Sequence, residues 1–188
     1  HRKEMGEAAR ESSLKYDWKN IMGAYADLYR VAAQKQAVDT DTTIVITNYN
    51  YAAWVGSAIT SALSQTKPPA EIIVVDDGST DNSREVIDST IEKYKGTKTV
   101  FGKSYQNNQG VAAARNHGLA VVRTQFATCL DADDMLAPHF VEVLSGALIK
   151  NRGMGIAYSG LEMINSKGES SGSSDWPPEF DWHIMTKV

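Results

Sequence analysis

Cys129-Leu130-Asp131-Ala132-Asp133-Asp134-Met135-Leu136 places three carboxylates within four residues, directly after the apolar, β-prone run from Thr124 to Leu130. Unpaired carboxylates do not continue into a core, so a strand running through Leu130 must surface there. In an open α/β sheet the carboxyl end of a strand is where ligands bind. Adjacent carboxylates repel unless a cation or hydrogen-bond donors stand between them. Hard oxygen ligands at such a point suit Mg2+ or Mn2+, held together with the phosphates of a substrate. In isolation the stretch reads equally as a solvated acidic turn or as the cap of the next helix. A second acidic strand end upstream, Asp76-Asp77-Gly78-Ser79, favours a site.

Working outward, Thr43-Ile44-Val45-Ile46-Thr47 is apolar and β-branched on both faces, the pattern of a covered parallel strand, and it ends in the polar loop Asn48-Tyr49-Asn50. Spacing predicts a helix over Tyr51 to Ser64 with Trp54, Val55, Ala58, Ile59, Ala62 and Leu63 inward, stopped by Pro68-Pro69. Glu71-Ile72-Ile73-Val74-Val75 is a second buried strand. Ser79 or Thr80 then caps a helix running to about Tyr94, with Val86, Ile87 and Ile91 buried. Lys98 to Tyr105 is a third, less apolar strand, and Asn107-Asn108-Gln109-Gly110 a turn. A helix over 110–122 follows, its Ala112, Ala113 and Ala114 allowing close packing. The fourth strand, Gln125 to Leu130, carries the acidic cluster. A helix over 138–150 starts with proline in its first turn. Met154 to Tyr158 is predicted as a fifth strand, and Leu161 to Asn165 as a continuation of the sheet before the turn Ser166-Lys167-Gly168. Residues 169–182 predict loop. This alternation means an α/β fold with a doubly wound, mainly parallel, Rossmann-like sheet. Ahead of it, residues 4–37 predict a long amphipathic helix, with Leu14, Trp18, Ile21, Met22, Tyr25, Leu28 and Tyr29 on one face.

The 188 residues carry a net charge of −4 and no basic stripe, which argues against a nucleic-acid partner. No apolar run approaches the roughly 20 residues of a membrane span, and no apolar leader is visible. The single cysteine, Cys129, reads as a small core residue, and a reducing, cytoplasmic setting fits. The chain starts at His1 rather than at methionine and stops abruptly after Val188, which suggests a piece of a longer polypeptide.

In such a sheet Thr47 to Asn50, Asp76-Asp77 and Asp131 to Asp134 converge on one crevice. Tyr49 offers a ring on which a base can stack, or is a surface tyrosine. Asp77 can accept from the imide N–H of a uracil-like base; Asp76 or Asp77 can instead cap the next helix. Arg115 can neutralise a diphosphate, or form a surface salt bridge. Neither G-x-G-x-x-G after the first strand nor G-x-x-x-x-G-K-[ST] is present, which counts against a dinucleotide-binding dehydrogenase and a P-loop NTPase. The four histidines show no metal-ligand spacing; His117 and His139 read as helix-surface or capping residues. A phosphotransfer domain would need a lysine on a later strand end, and none is found.

Residues 42 to 165 resemble the nucleotide-binding half of a family 2, GT-A-type glycosyltransferase. The likeness is carried by Ile44 to Asn50, Ser57 to Thr66, Glu71 to Ser83, Asn108-Gln109-Gly110 through Ala114-Arg115-Asn116-His117-Gly118, and Leu130-Asp131-Ala132-Asp133-Asp134. One departure is Thr47, where the family often has proline. The resemblance implies a nucleotide-sugar donor, commonly a UDP-sugar, and inverting transfer to the hydroxyl of a glycan or lipid-linked acceptor, with Mn2+ or Mg2+ as cofactor, in polysaccharide or glycoconjugate synthesis. By position it implies that Thr47, Tyr49, Asp77, Arg115 and Asp131 bind the nucleotide and Asp133 the metal. An inverting transfer also needs a general base, which the family carries well after its D-x-D. Glu162, Glu169, Glu179 and Asp181 do not stand in that context, so the catalytic base is expected beyond this chain. Residues 41–188 are accordingly read as a GT-A domain cut before its acceptor-binding half, and a nucleotide-sugar-binding piece without turnover is the alternative reading. A fainter resemblance links residues 8–37, through Ala9-Arg10, Tyr16-Asp17-Trp18, Tyr25 and Leu28-Tyr29-Arg30, to the closing helix of family 4, GT-B-type glycosyltransferases. Residues 1–40 would then end an upstream domain; an ordinary amphipathic helix is the other reading. Peripheral association with the inner face of a membrane through the parent protein is implied as well. An incomplete domain exposes apolar surface, and dimerisation through it is a further expectation.

Overall fold

The computed structural model describes residues 42–165 and 170–174. The helix expected over 4–37 and the turn at Ser166-Lys167-Gly168 lie outside the described residues.

Strand β1 (Thr42–Asn48) is buried at every position, as an unbroken β-branched and apolar run demands of a strand covered on both faces. It pairs in parallel with β2 (Glu71–Asp76) on one side and β4 (Phe126–Asp131) on the other. Beyond β2, strand β3 (Val100–Tyr105) closes the edge. The order β3-β2-β1-β4 is the doubly wound, parallel sheet expected, with its order reversing between β1 and β4. Register brings polar residues level at one end: Thr47 stands opposite Asp131, and Asn48 opposite Asp76.

Side chains alternate across each strand, and the core divides accordingly. Ile44, Ile46, Ile72, Val74 and Leu130 meet helix α1 (Val55–Leu63) and Ile87 of helix α2 (Ser83–Lys93) on one face. Val45, Ile73 and Val75 meet Ala114 and Leu119 of helix α3 (Val111–Ala120) on the other. Helix α3 sits unusually close to the sheet because Gly118 has no side chain: a Cβ there would lie 2.3 Å from Val45 Cγ1 and 3.2 Å from Val75 Cγ2. Helix α4 (Phe140–Lys150) buries Val141 in the first cluster.

Several sequence expectations shift. Trp54 is 40% exposed rather than inward: α1 begins at Val55, four residues later than expected, and the Trp54 N–H closes a turn on the Tyr51 carbonyl at 2.9 Å. Neither Ser79 nor Thr80 caps α2, which starts at Ser83 after Asn82. Val86 and Ile91 are only partly buried beside Ile87.

The chain divides into two units after Ser145. In the second, Met154 to Tyr158 is not a strand, and Met154, Ile156 and Tyr158 are exposed. Gly153, Gly155 and Gly160 punctuate that segment and weaken extended pairing. Leu161 to Ile164 does not extend the parallel sheet. It forms β5 of a separate antiparallel pair with β6 (Ser170–Ser174), a segment expected as loop. A Ser- and Gly-rich run has little strand preference of its own; here β6 exists through its pairing with β5.

Candidate functional site

At the carboxyl ends of β1 and β4, where strand order reverses, lies a crevice of about 310 Å3 lined by Thr47, Asn48, Tyr49, Tyr51, Asp77, Asn108, Gly110, Asp131 and Asp133, among others. A switch point is where an open α/β sheet binds ligands. The geometry therefore gathers five of the six residues singled out from sequence, Thr47, Tyr49, Asp77, Asp131 and Asp133, along one wall-to-wall surface. The sixth, Arg115, reaches in from α3. Its Nη2 donates to both Asp131 oxygens at 2.7 Å each, and Thr47 Oγ1 donates to Asp131 Oδ1 at 3.0 Å. Asp131 is thus a neutralised, oriented carboxylate, and Arg115 belongs to the site through it.

Asp77 is 3% exposed and organises the loop ahead of α3. Its Oδ1 accepts from Gln106 Nε2 at 2.7 Å and from the Gln109 N–H at 2.9 Å. Its Oδ2 accepts from the Gly110 N–H at 2.7 Å, next to the start of α3, where a negative charge suits the exposed amides. The loop can approach because residue 78 is glycine: φ is +79°, and a Cβ would come 2.6 Å from the Asn108 nitrogen.

Asp76 differs from its neighbour. Fully buried, it accepts from Asn48 Nδ2 at 2.8 Å, from the Ser79 N–H at 3.1 Å and from Arg84 Nε at 3.3 Å. The remaining residues of that motif brace the loop after β1. Ser79 Oγ accepts from Asn48 Nδ2 and from the Asn50 N–H, and Asn50 Oδ1 accepts from the Thr80 N–H at 2.8 Å. Asn50 holds φ at +58°, a left-handed conformation that asparagine tolerates better than most residues. This bracing aims Tyr49 and Tyr51 at the crevice.

Charge is unbalanced at its acidic end. Asp133 is exposed. The Tyr51 phenol is held above its ordinary range, first by the negative charge of Asp133 and then by hydrogen bonding to it. The Asp134 carboxyl is also raised, by burial first and then by the charges of Asp133 and Asp131. Among the described residues, no three His, Cys, Asp or Glu side chains form a complete metal cage. Mg2+-type ions need less: one or two carboxylates, with phosphate and water supplying the rest. An exposed Asp133 beside the Asp134 carboxyl fits that requirement.

Cys129 is pushed up to about 11, chiefly by burial, so its thiol stays protonated and packs on the core face that α3 covers. His117 Nε2 pairs with Ser104 Oγ at 2.9 Å, and His139 lies 3.6 Å from Glu142; both are surface contacts. Sequence reading missed Tyr51, Gln106, Asn108 and Gly110 as site residues. Tyr51 had a signal, since it stands two residues after Tyr49, but it was absorbed into the helix expected to begin there. Gln106 had none, because only the fold brings the end of β3 to Asp77.

The family model described as glycosyl transferase family 2 matches residues 43–179. An uncharacterized glycosyltransferase of Nostoc sp. is 45% identical over 98 residues, 52% of this chain and 29% of that protein. The succinoglycan biosynthesis protein ExoU of Rhizobium meliloti is 38% identical over 102 residues, 54% of this chain and 29% of that protein. The crystal structure of GalNAc-T7 with UDP, GalNAc and Mn2+ superposes with a TM-score of 0.51 at 24% identity, covering 60% of this chain and 22% of that one. The chain spans less than half the length of curated relatives it matches, 42% in one and 14% in another. No helix of the described residues is long and apolar enough to cross a membrane.

Proposed function

The chain belongs to glycosyl transferase family 2, and from that premise we propose that its crevice binds a nucleotide-sugar donor, a UDP-sugar, for inverting transfer to an acceptor hydroxyl in polysaccharide or glycoconjugate assembly. The observation that carries this reading is the pairing of an aromatic and hydrogen-bonding wall (Thr47, Tyr49, Asp77) with an acidic end (Asp131, Asp133) in one crevice at the switch point. A nucleoside diphosphate has the same polarity, a flat base at one end and phosphates at the other.

In this reading Tyr49 stacks on the base and Asp77 accepts from its edge. Asp131, already oriented by Arg115 and Thr47, faces the ribose. Asp133 holds Mn2+ or Mg2+, which when bound offsets the charge developing on the leaving diphosphate. That a GT-A-fold structure with UDP and Mn2+ superposes on this chain, and that a relative serves succinoglycan biosynthesis, support the same assignment. The transfer also requires a general base. Asp131, Asp133 and Asp77 have other tasks in this reading, and the family resemblance implies that the base stands well after the D-x-D, in another segment. If no such segment is contributed, the chain binds donor without turning it over.

The test is to incubate the chain with UDP-sugars, Mn2+ and a panel of sugar acceptors, following UDP release and the anomeric configuration of any product by NMR. An inverted linkage supports the full reading, and donor binding without release supports the binding-only alternative. A product of retained configuration contradicts the inverting assignment.

A further inference from the structure

Asp77 is the point at which the crevice would read a base, and its bonding is nearly complete before any ligand arrives. A carboxylate has about four accepting positions, two per oxygen. On Oδ1 both are taken, by Gln106 Nε2 at 2.7 Å and the Gln109 N–H at 2.9 Å. On Oδ2 one is taken, by the Gly110 N–H at 2.7 Å. One position is left, on the oxygen of a residue that lines the crevice. Two of the three donors are main-chain groups and come with the loop. The third, Gln106, is a side chain at the end of β3, anchored by its own N–H to the Asp76 carbonyl at 3.0 Å.

We propose that Gln106 is a specificity-determining positioning residue: by filling Oδ1 it turns Asp77 into a single-acceptor reader of the base. This rests on the nucleotide-binding reading above and adds how the uracil base is selected. A uracil edge presents one N–H, flanked by two carbonyls, and matches one acceptor. A guanine edge presents an N–H and an amino group side by side and needs two. A cytosine edge presents an unprotonated ring nitrogen, which a carboxylate repels. Buried donors left without acceptors weaken binding far more than missing apolar contacts do. Without Gln106, Oδ1 regains an open position while the Gln109 and Gly110 N–H groups still hold the carboxylate, so a second acceptor becomes available and discrimination between uracil and guanine falls.

The experiment compares UDP and GDP binding, each with Mn2+, by calorimetry on the full chain and on Gln106→Ala, with melting curves alongside. Gln106→Met, which keeps length but has no donor, serves if the alanine variant does not fold, and Asn107→Ala is the loop control. The expected result is that wild type prefers UDP and that the preference falls about tenfold in the Gln106 variants, the scale of one misplaced polar contact, while Asn107→Ala keeps it. A merely structural Gln106 would lower the melting temperature and weaken both nucleotides equally. An unchanged ratio, or a wild type that binds GDP as tightly as UDP, overturns the inference and leaves nucleotide binding standing. A wild type that binds neither nucleotide overturns the donor-binding reading itself.

Discussion

Asp131 and Asp133 lie two residues apart yet stand in different surroundings, and the difference comes from their partners. Asp131 is held by Arg115 and Thr47, whereas Asp133 stands exposed among like charges. Replacing Asp131 by asparagine should therefore weaken UDP binding about tenfold, the size of a lost charge-assisted contact. It should cost little stability, because the pair is over a third exposed and water screens it. Calorimetry and a melting curve on one variant separate the two effects. Asp134 makes a pH prediction. Its carboxyl is raised by burial, Asp133 and Asp131, so folding disfavours its charged form; the penalty is present near neutrality and fades as the pH falls through the raised value. Asp134→Asn should thus melt slightly higher at neutral pH, and the gain should shrink as the pH falls and be gone about a unit below pH 4, the value near which free aspartate takes up a proton. An equal gain at both pH values would contradict this. The acidic residues were legible in the sequence because two carboxylate clusters each followed a buried strand. That Asp76 is a buried brace of the neighbouring loops was not, since its partners Asn48, Ser79 and Arg84 are brought to it only by the fold.

Among the elements, the four parallel strands were readable because each is a short β-branched or apolar run ended by polar residues. The β5–β6 pair was not, because Ser170 to Ser174 has no strand signal of its own. Among the described glycines, the one with least room for a side chain is Gly118, where α3 meets the sheet. A methyl group there would meet Val45 Cγ1 at 2.3 Å, a distance that forces the helix or the strand to move. Gly118→Ala should cost about 1–3 kcal/mol, the usual range for overpacking, seen as a lower urea midpoint. Because α3 carries Arg115 and receives Asp77 at its start, the same variant should also bind UDP more weakly. Full stability in Gly118→Ala would show that α3 is free to lift from the sheet. Gly78 is constrained in the same way and by its φ of +79°, so Gly78→Ala should displace the loop that carries Asn108.

For the molecule as a whole, the doubly wound order decides where chemistry can occur. With β4 on the far side of β1 from β2 and β3, helices leave opposite faces and a crevice opens between the ends of β1 and β4, where Thr47 meets Asp131. Sequence alone reached this fold and the family, since both follow from ordered motifs on successive strand ends. The general base stayed out of reach, because no residue pattern in the chain stands in its expected context. The reading stands or falls on whether this crevice binds a nucleoside diphosphate with a divalent cation at Asp133. Its most direct measurement is calorimetric titration of UDP into the chain with Mn2+, repeated with EDTA and with Asp133→Ala. Binding is expected with Mn2+ and should weaken at least about tenfold, equivalent to roughly 1.4 kcal/mol, both in EDTA and in the variant. Binding of equal strength in all three conditions, or none in any, would contradict it.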